Sequence, residues 1–175
     1  MAKLDSTTVA TVRPEDSAVA PLMAGLLSEY TERYGPGASA EFDRHPTWLF
    51  TEEHGGALVL LFEDGRTVAG GALRAFDYDS AAKGILGADL PDLPTAEFKR
   101  IWTHAAYRRR GLGRRVLDAL ERRAAELGYR RVFLTTGPSQ PEAVGLYLAA
   151  GYTELADLGA EARGYPVHPF IKALS

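Results

Sequence analysis

The segment between residues 97 and 136 constrains the fold most, because two strand-like stretches flank one strongly amphipathic helix. Glu97–Thr103 alternates in polarity and Arg131–Thr136 is rich in β-branched and apolar residues, so both predict strands. Gly113–Leu127 repeats apolar residues at helical spacing, and Gly128 is suited to end that helix. A strand, a helix and a strand in succession predict a crossover connection within a sheet.

The rest of the chain adds strands that can pair as hairpins. These predicted strands are Thr7–Arg13, Ala57–Phe62, Thr67–Phe76, Tyr152–Leu155 and Pro169–Leu174. Asp64-Gly65 lies between the second and third of them and is a strong hairpin signal. Gly70 and Gly71 within a strand indicate either a bulge or a close approach of other groups to the backbone.

Two more helices follow from start and stop signals. Pro14 and the acids after it predict a helix start, and the helix should end near Gly35. Ser139 and Glu142 have capping-box spacing, so a second helix should run to about Ala150. Two segments lack a clear period: residues 38–56, which fit a short helix or a loop, and residues 77–95, which fit a loop.

Composition excludes several classes of protein. The 175 residues fit one compact α/β domain over 1–175. Cysteine is absent, which excludes disulfides, thiolate metal sites and a cysteine nucleophile. The four histidines show no metal-ligand spacing, so we expect no metal. No apolar run approaches the roughly 18 residues of a membrane span, and the polar N-terminus lacks a signal-peptide core, so we expect a cytoplasmic protein without a membrane partner.

The charge is unevenly distributed. Residues 99–131 hold eleven basic and three acidic residues and carry +8, whereas the rest of the chain carries −11. A basic island in an acidic chain indicates either an anionic ligand or a solvated arginine-rich helix face. Nucleic-acid binding by that helix is a third hypothesis, but the pI near 5.8 and the absence of interleaved aromatic residues argue against it.

The turn before the amphipathic helix is the candidate anion site. It reads Arg108-Arg109-Arg110-Gly111-Leu112-Gly113-Arg114. The unpaired N–H groups of a helix N-terminus and nearby glycines suit a phosphate or pyrophosphate. The turn lacks the P-loop pattern, and Val116 stands where a dinucleotide fingerprint needs a third glycine.

Three motifs together resemble the GNAT superfamily of N-acetyltransferases, which binds acetyl-coenzyme A (acetyl-CoA). The spacing Arg108-x-x-Gly111-x-Gly113 is similar to its signature turn. Residues 140–152 resemble the helix after its fifth strand, and residues 97–103 resemble its fourth strand. The resemblance covers roughly residues 57–155 and implies a central mixed, mostly antiparallel sheet of six to seven strands flanked by about four helices. Segments 14–56 and 156–170 would be variable, acceptor-side parts.

The resemblance also implies site residues. Backbone amides of Arg109, Arg110, Gly111, Leu112, Gly113 and Arg114 would hold the pyrophosphate. Arg108 would order the turn or meet a phosphate. Backbone groups of Ile101, Trp102 and Thr103 would lie along the pantetheine arm, and Gln140 stands where the family usually has Asn.

Catalysis in this family is the attack of an amine on a thioester. Tyr147 matches the position of the general acid for the leaving thiolate. Glu97 matches an acidic residue that acts as base, directly or through water; an ion-paired strand carboxylate is the alternative. His104 and His168 are other candidate bases.

The acceptor is weakly encoded. Glu29, Tyr30, Asp77 and Tyr78 would border the acceptor site, where acids attract a cationic amine. The resemblance therefore implies an acetyl-CoA-dependent N-acetyltransferase that acts on the primary amine of a small molecule, an amino acid or a peptide. A non-catalytic acyl-CoA sensor of the same fold is the alternative, and a homodimer is left open.

Overall fold

The computed structural model describes residues 6–77 and 91–175. Among these residues, seven strands form one sheet in the order β1-β2-β3-β4-β5-β7-β6. The strands are β1 (Thr8–Val12), β2 (Ala57–Glu63), β3 (Arg66–Ala75), β4 (Thr95–Thr103), β5 (Arg131–Thr136), β6 (Thr153–Glu154) and β7 (His168–Ala173). The helices are α1 (Ala20–Tyr34), α2 (Ala40–Asp43), α3 (Leu112–Glu126), α4 (Pro141–Ala149) and α5 (Ala160–Arg163).

The sheet is mixed, as predicted. β4 and β5 are parallel, whereas β1–β2, β2–β3, β5–β7 and β6–β7 are antiparallel. The described part of the chain has three long helices and two single-turn helices, where we predicted about four. Contacts divide the chain into two compact units. The first unit contains residues up to Arg74 and Lys99–Leu120; the second contains Ala75–Phe98 and Glu121–Ser175.

The core of the first unit joins α1 to the strands. Leu22 and Leu26, four residues apart on α1, are buried together with Leu60 of β2 and Trp102 of β4. A Cβ at Gly25 would lie 2.3 Å from the Trp102 Nε1 atom. Only glycine at this position lets the indole lie against the helix backbone, so the helix face and the Trp102 ring are fitted to each other.

Other side chains approach the backbone closely at Gly70 and Gly71 of β3, and the β-bulge of this strand lies two residues before Gly70. Leu61 pairs with Ala69 and Phe62 with Thr67, so Val68 is the extra residue of the bulge. A Cβ at Gly70 would lie 2.7 Å from Leu22, and a Cβ at Gly71 would lie 2.9 Å from Leu120. Side chains of α1 and α3 therefore press on adjacent positions of β3.

The first helix begins later than predicted. Asp16 caps a short 3₁₀ turn by accepting a hydrogen bond from the Ala18 N–H at 2.8 Å, and α1 starts at Ala20. Pro14 and Glu15 precede the cap, and Asp16 itself lies just outside the helical turn because a capping residue is not part of the helix. The predicted end is confirmed: Gly35 follows the last residue of α1 with φ 85°.

The second unit packs aromatic residues between its strands. Phe76 meets Phe133 of β5 edge to face at 4.9 Å, and Ile171 of β7 packs against this pair. The helix α4 has Gln140 rather than Ser139 as its N-cap, with Pro141 in the first turn. The capping box was therefore wrong about the start by one residue, because proline suits a first helical position.

The pairing of β4 with β5 is short. It covers Thr95–Glu97 against Arg131–Phe133. β4 continues to Thr103 and β5 to Thr136, beyond this register. The parallel register of β4 and β5 therefore covers three residues of each strand.

Candidate active site

In the turn between β4 and α3, residues with left-handed backbone alternate with residues of ordinary negative φ. His104 Nδ1 accepts a hydrogen bond from the Ala106 N–H at 3.1 Å and caps a single 3₁₀ turn over Ala105–Tyr107. Arg109 and Gly111 then take left-handed conformations, with φ 61° and 74°. Left-handed backbone is unusual for a non-glycine residue, so the conformation at Arg109 needs support from its surroundings.

The start of α3 presents amide groups toward the turn. The Arg115 N–H donates to the Gly111 carbonyl at 3.2 Å, which is a backbone hydrogen bond of the first turn of α3. In any helix the first N–H groups have no carbonyl four residues earlier in the same helix to bond to, and Leu112 and Gly113 hold such positions here. Gly111 is exposed, and a Cβ there would meet no heavy atom within 4 Å. The space beside the turn therefore fits an anion.

Carboxylates from other elements bind two arginine side chains of the turn. Arg108 donates through Nη2 to Glu29 of α1 and through Nε to the Thr103 carbonyl at 3.3 Å. Arg110 donates two hydrogen bonds to the Glu63 carboxylate, of 3.0 and 2.7 Å. These contacts hold the Arg108 side chain against Glu29 and Thr103, and both roles predicted for Arg108 stay predictions.

The other arginines near the turn also bond within the protein or face solvent. Arg114 bonds to Asp118 one turn further along α3 at 3.2 Å, and Arg115 donates to the Thr7 carbonyl at 3.0 Å. Arg109 is exposed. The guanidinium groups of Arg114 and Arg115 thus bond to carbonyl or carboxylate oxygens of the protein.

The end of β4 carries the residues predicted to face the pantetheine arm. Trp102 is buried in the core, while Ile101 and Thr103 are half-buried. The His104 N–H donates to the Val68 carbonyl at 2.9 Å, which holds this end of the strand against β3. Arg100 has φ 57°, a left-handed conformation that interrupts the regular extended backbone of β4.

The two predicted catalytic residues lie in the second unit and are both buried. Glu97 is opposite Phe133 in the β4–β5 pair. The Tyr147 ring lies 5.4 Å from the Phe170 ring and 5.9 Å from the Tyr152 ring. Tyr147 therefore has a packed ring, and packing fixes the direction of its hydroxyl.

The C-terminal end of α4 is fastened by a polar cluster. Lys172 Nζ donates to the carbonyl of Ala150, the C-cap residue, at 2.9 Å and to both carboxylate oxygens of Glu121 at 3.0 Å. The Tyr152 hydroxyl donates to Glu121 at 2.9 Å, and the Tyr152 N–H donates to the Tyr147 carbonyl at 3.0 Å. This cluster connects the helix that carries Tyr147 to α3 and β7.

The predicted cofactor and acceptor residues outside these groups have varied surroundings. Gln140 is the N-cap of α4. Glu29 is bound to Arg108, and the Tyr30 ring stacks on Phe42 at 5.6 Å beside the core. Asp77 is exposed after β3. Tyr78 lies outside the described residues.

The alternative bases have structural partners. His104 accepts the capping hydrogen bond described above, and His168 Nδ1 lies 2.6 Å from Glu154 Oε1. Within residues 6–77 and 91–175, no group of three or more histidine, aspartate or glutamate residues could hold a metal ion. In the same ranges, no helix has the length and apolar character needed to cross a membrane.

One ion pair organises the loop between β6 and β7. Partial burial raises the pKa of Asp157, but hydrogen bonds from Arg163, from the Val167 N–H at 2.9 Å and from the Gly159 N–H at 3.2 Å outweigh burial, so the pKa is lowered below 3.8. The Arg163 contacts are 2.6 and 2.5 Å. The Asp157 carboxylate thus fixes three points of a loop that we predicted to be acceptor-side.

Comparison with known proteins identifies the family. A sequence model of the acetyltransferase (GNAT) family matches residues 22–152. The chain belongs to this family. Members of the GNAT family use acyl-CoA thioesters, so the protein is an acyltransferase. A search of curated proteins found no match.

Solved structures share the GNAT fold over nearly the whole chain. An acetyltransferase from Streptococcus agalactiae 2603 is 14% identical with a TM-score of 0.67, covering 97% of this chain and 99% of that one. A GNAT-family acetyltransferase from Staphylococcus aureus Mu50 is 15% identical with a TM-score of 0.65, covering 96% and 100%. Ard1 from Thermoplasma volcanium is 15% identical with a TM-score of 0.66, covering 97% and 99%. The single-domain GNAT-like α/β fold predicted from sequence is confirmed.

Sequence reasoning missed Glu63. The hairpin pattern placed it at the start of a turn, whereas in the structure it ends β2 and binds Arg110. The local sequence contains no signal for a pair 47 residues apart. The excess of arginines in an acidic chain indicated that such pairs exist without indicating which acids form them.

Proposed function

We propose that the protein transfers an acetyl group from acetyl-CoA to the primary amine of a small molecule, an amino acid or a peptide. The observation that carries this proposal is the turn of residues 108–114, with open space beside Gly111 at the start of α3. Backbone N–H groups of residues 109–114 would hold the diphosphate of the donor. Backbone groups of residues 101–103 would lie along its pantetheine arm.

Acetyl-CoA supplies an activated acetyl thioester when it is bound. The chain must then provide proton transfer and stabilise developing negative charge. We assign the general base to Glu97, acting directly or through water, because an ammonium group has no lone pair until it loses a proton. We assign the general acid to Tyr147, whose phenol can give a proton to a thiolate. A backbone N–H near the end of β4 would stabilise the oxyanion.

Calorimetric titration of the protein with acetyl-CoA tests donor binding. We expect dissociation constants well below about 1 mM for acetyl-CoA and for its desulfo analogue, because both carry the diphosphate that the turn would hold. Pantetheine, which lacks the diphosphate, should bind far more weakly. Absence of binding by both nucleotides would remove the basis of the proposal.

A thiol-release screen tests transfer and the nature of the acceptor. The amines should include polyamines, free amino acids, peptides with a free N-terminus and amine-containing drugs. We expect at least one class to release CoA at a rate above hydrolysis. Tight donor binding without thiol release from any class would favour the non-catalytic sensor. We further propose that the enzyme is cytoplasmic and that it has no nucleic-acid partner. A mobility-shift assay with DNA and RNA at low salt would check for nucleic-acid binding.

A further inference from the structure

Two carboxylates from earlier parts of the chain bind arginine side chains of the turn proposed to hold the diphosphate. Glu29 comes from α1, 79 residues before Arg108, and Glu63 ends β2, 47 residues before Arg110. All four residues belong to the first unit. Neither acid is on the turn itself, so each acts on the turn through an arginine.

The contact between Glu63 and Arg110 fixes the side chain tightly. The carboxylate accepts two hydrogen bonds from one guanidinium, and the Glu63 side chain is only 10% exposed. The guanidinium also lies 5.3 Å from the centre of the Tyr107 ring. Two-point contact with a carboxylate and stacking on an aromatic ring both restrict a planar guanidinium to one orientation.

Arg108 is held in a similar way. Its Nη2 donates to Glu29 and its Nε to the Thr103 carbonyl. Arg109, which lies between the two held arginines, has the left-handed φ of 61°. Left-handed backbone is unfavourable for a residue with a side chain, so the anchored neighbours are the visible support for this conformation.

We propose that Glu29 and Glu63 are positioning residues for the donor-binding turn. They hold the side chains of Arg108 and Arg110 away from the turn's amides and keep Arg109 left-handed, so that the backbone N–H groups are oriented before the ligand arrives. This inference rests on the proposed function, because it concerns the same turn. It also gives Glu29 a role different from the predicted attraction of the amine acceptor.

The sign of a charge-removing substitution distinguishes positioning from simple electrostatics. Coulomb's law says that removing a negative charge near an anion site strengthens anion binding. Loss of positioning weakens it, because part of the binding free energy is then spent on ordering the turn. Glutamine keeps the size of glutamate and removes the charge, so the direction of the change in affinity answers the question.

The variants are Glu63→Gln and Glu29→Gln, with Glu53→Gln as the control. Glu53 forms an exposed ion pair with Arg13 at 2.9 Å, and neither residue belongs to the turn. Calorimetry with CoA should show about tenfold weaker binding for Glu63→Gln and a smaller weakening for Glu29→Gln, where tenfold corresponds to about 1.4 kcal/mol. The control should stay within about twofold of the native protein. Equal or tighter binding by both turn variants overturns the proposal.

A double-mutant cycle tests whether Glu63 acts through Arg110. Arg110→Gln removes the partner, and Glu63→Gln combined with Arg110→Gln should bind CoA no more weakly than Arg110→Gln alone. Fully additive losses would overturn the assignment, because Glu63 would then affect the ligand by another route.

Hydrogen exchange of the ligand-free protein separates this inference from the proposed function. Peptides covering residues 107–115 should exchange faster in Glu63→Gln than in the native protein, while peptides of β5 and β7 should not change. Weaker CoA binding with unchanged exchange overturns positioning. Faster exchange in a protein whose native form fails to bind CoA would support the role of Glu63 in the turn and overturn donor binding.

Discussion

Gly111 shows how one residue can be required by conformation alone. Its φ is 74°, and a Cβ there would have no heavy atom within 4 Å, so alanine would meet strain but no clash. We expect Gly111→Ala to lower the free energy of unfolding by about 1 kcal/mol and to weaken CoA binding. Gly37→Ala is the control, because Gly37 also has open space but lies outside the left-handed region. Urea denaturation measures the free energy of unfolding of both variants. Equal losses of stability in Gly111→Ala and Gly37→Ala would contradict the argument.

Tyr147 lends itself to a test that separates chemistry from packing. Phenylalanine keeps the ring that packs on Tyr152 and Phe170 and removes only the hydroxyl. If the hydroxyl is the general acid, Tyr147→Phe should lower kcat by about 100-fold and leave the KM for acetyl-CoA almost unchanged. Tyr165→Phe changes an exposed tyrosine and serves as the control. Unchanged kcat would exclude Tyr147 from proton transfer.

Residue roles were only partly predictable from sequence. Local glycine spacing predicted the turn of residues 108–114, and Gly111 has a left-handed φ of 74°, which glycine adopts readily. Partners far apart in sequence do not follow from spacing. Glu29 was expected to attract an amine but binds Arg108, and Glu63 was not singled out. Long-range ion pairs depend on which elements the fold brings together.

Among the elements, α4 depends on a polar contact at its C-terminal end. Lys172 bonds to the carbonyl of Ala150 and to Glu121. Lys172→Met removes both contacts and leaves the mostly buried Glu121 with less compensation, so the free energy of unfolding should fall by roughly 1–3 kcal/mol. Glu126→Gln breaks an exposed pair with Arg123 and should cost under about 0.5 kcal/mol. Urea denaturation measures the loss of stability in both variants. A loss for Lys172→Met as small as that for Glu126→Gln would show that the polar cluster does not stabilise α4.

The β6–β7 loop should respond to acid through Asp157. The hydrogen bonds of this carboxylate hold its pKa below the ordinary value of 3.8, so the folded state favours the charged form. The resulting stabilisation is complete above pH 3.8 and is lost as the pH falls below it, because the unfolded chain binds the proton more readily. Asp157→Asn should therefore flatten the acid side of the stability curve, measured by urea midpoints between about pH 6 and pH 2. An unchanged slope would contradict this.

Some element boundaries follow from the local sequence pattern, whereas others depend on which of several possible starting residues tertiary packing selects. The strand Arg131–Thr136 agrees with the prediction. The hairpin turn also agrees, since Asp64 and Gly65 both have positive φ. Strand propensity and turn chemistry act locally, so both features can be predicted from short segments. Helix starts were less accurate. Asp16 and Gln140 became caps because several neighbouring residues can each begin a helix, and packing selects among them.

Over the whole molecule, charge is the property that sequence predicts without reference to the fold. Residues 99–131 carry +8 in a chain whose remainder carries −11. In the structure many of these arginines bind carboxylates or carbonyl oxygens, so the local field is weaker than the count implies. Under the proposed function, the backbone amides of the turn would therefore contribute more than guanidinium groups to the short-range attraction of the diphosphate.

This balance predicts a moderate dependence of donor binding on salt. Raising the ionic strength from 0.1 M to 1 M shortens the Debye length from about 10 Å to about 3 Å and screens long-range attraction, while contacts at hydrogen-bond distance persist. The dissociation constant of CoA should rise roughly fivefold to tenfold over this range, mainly through slower association. Pantetheine has no phosphate and should show almost no change. A salt dependence of several hundredfold would mean that exposed arginine side chains dominate binding, and none at all would mean that the phosphates of CoA lie away from the basic segment.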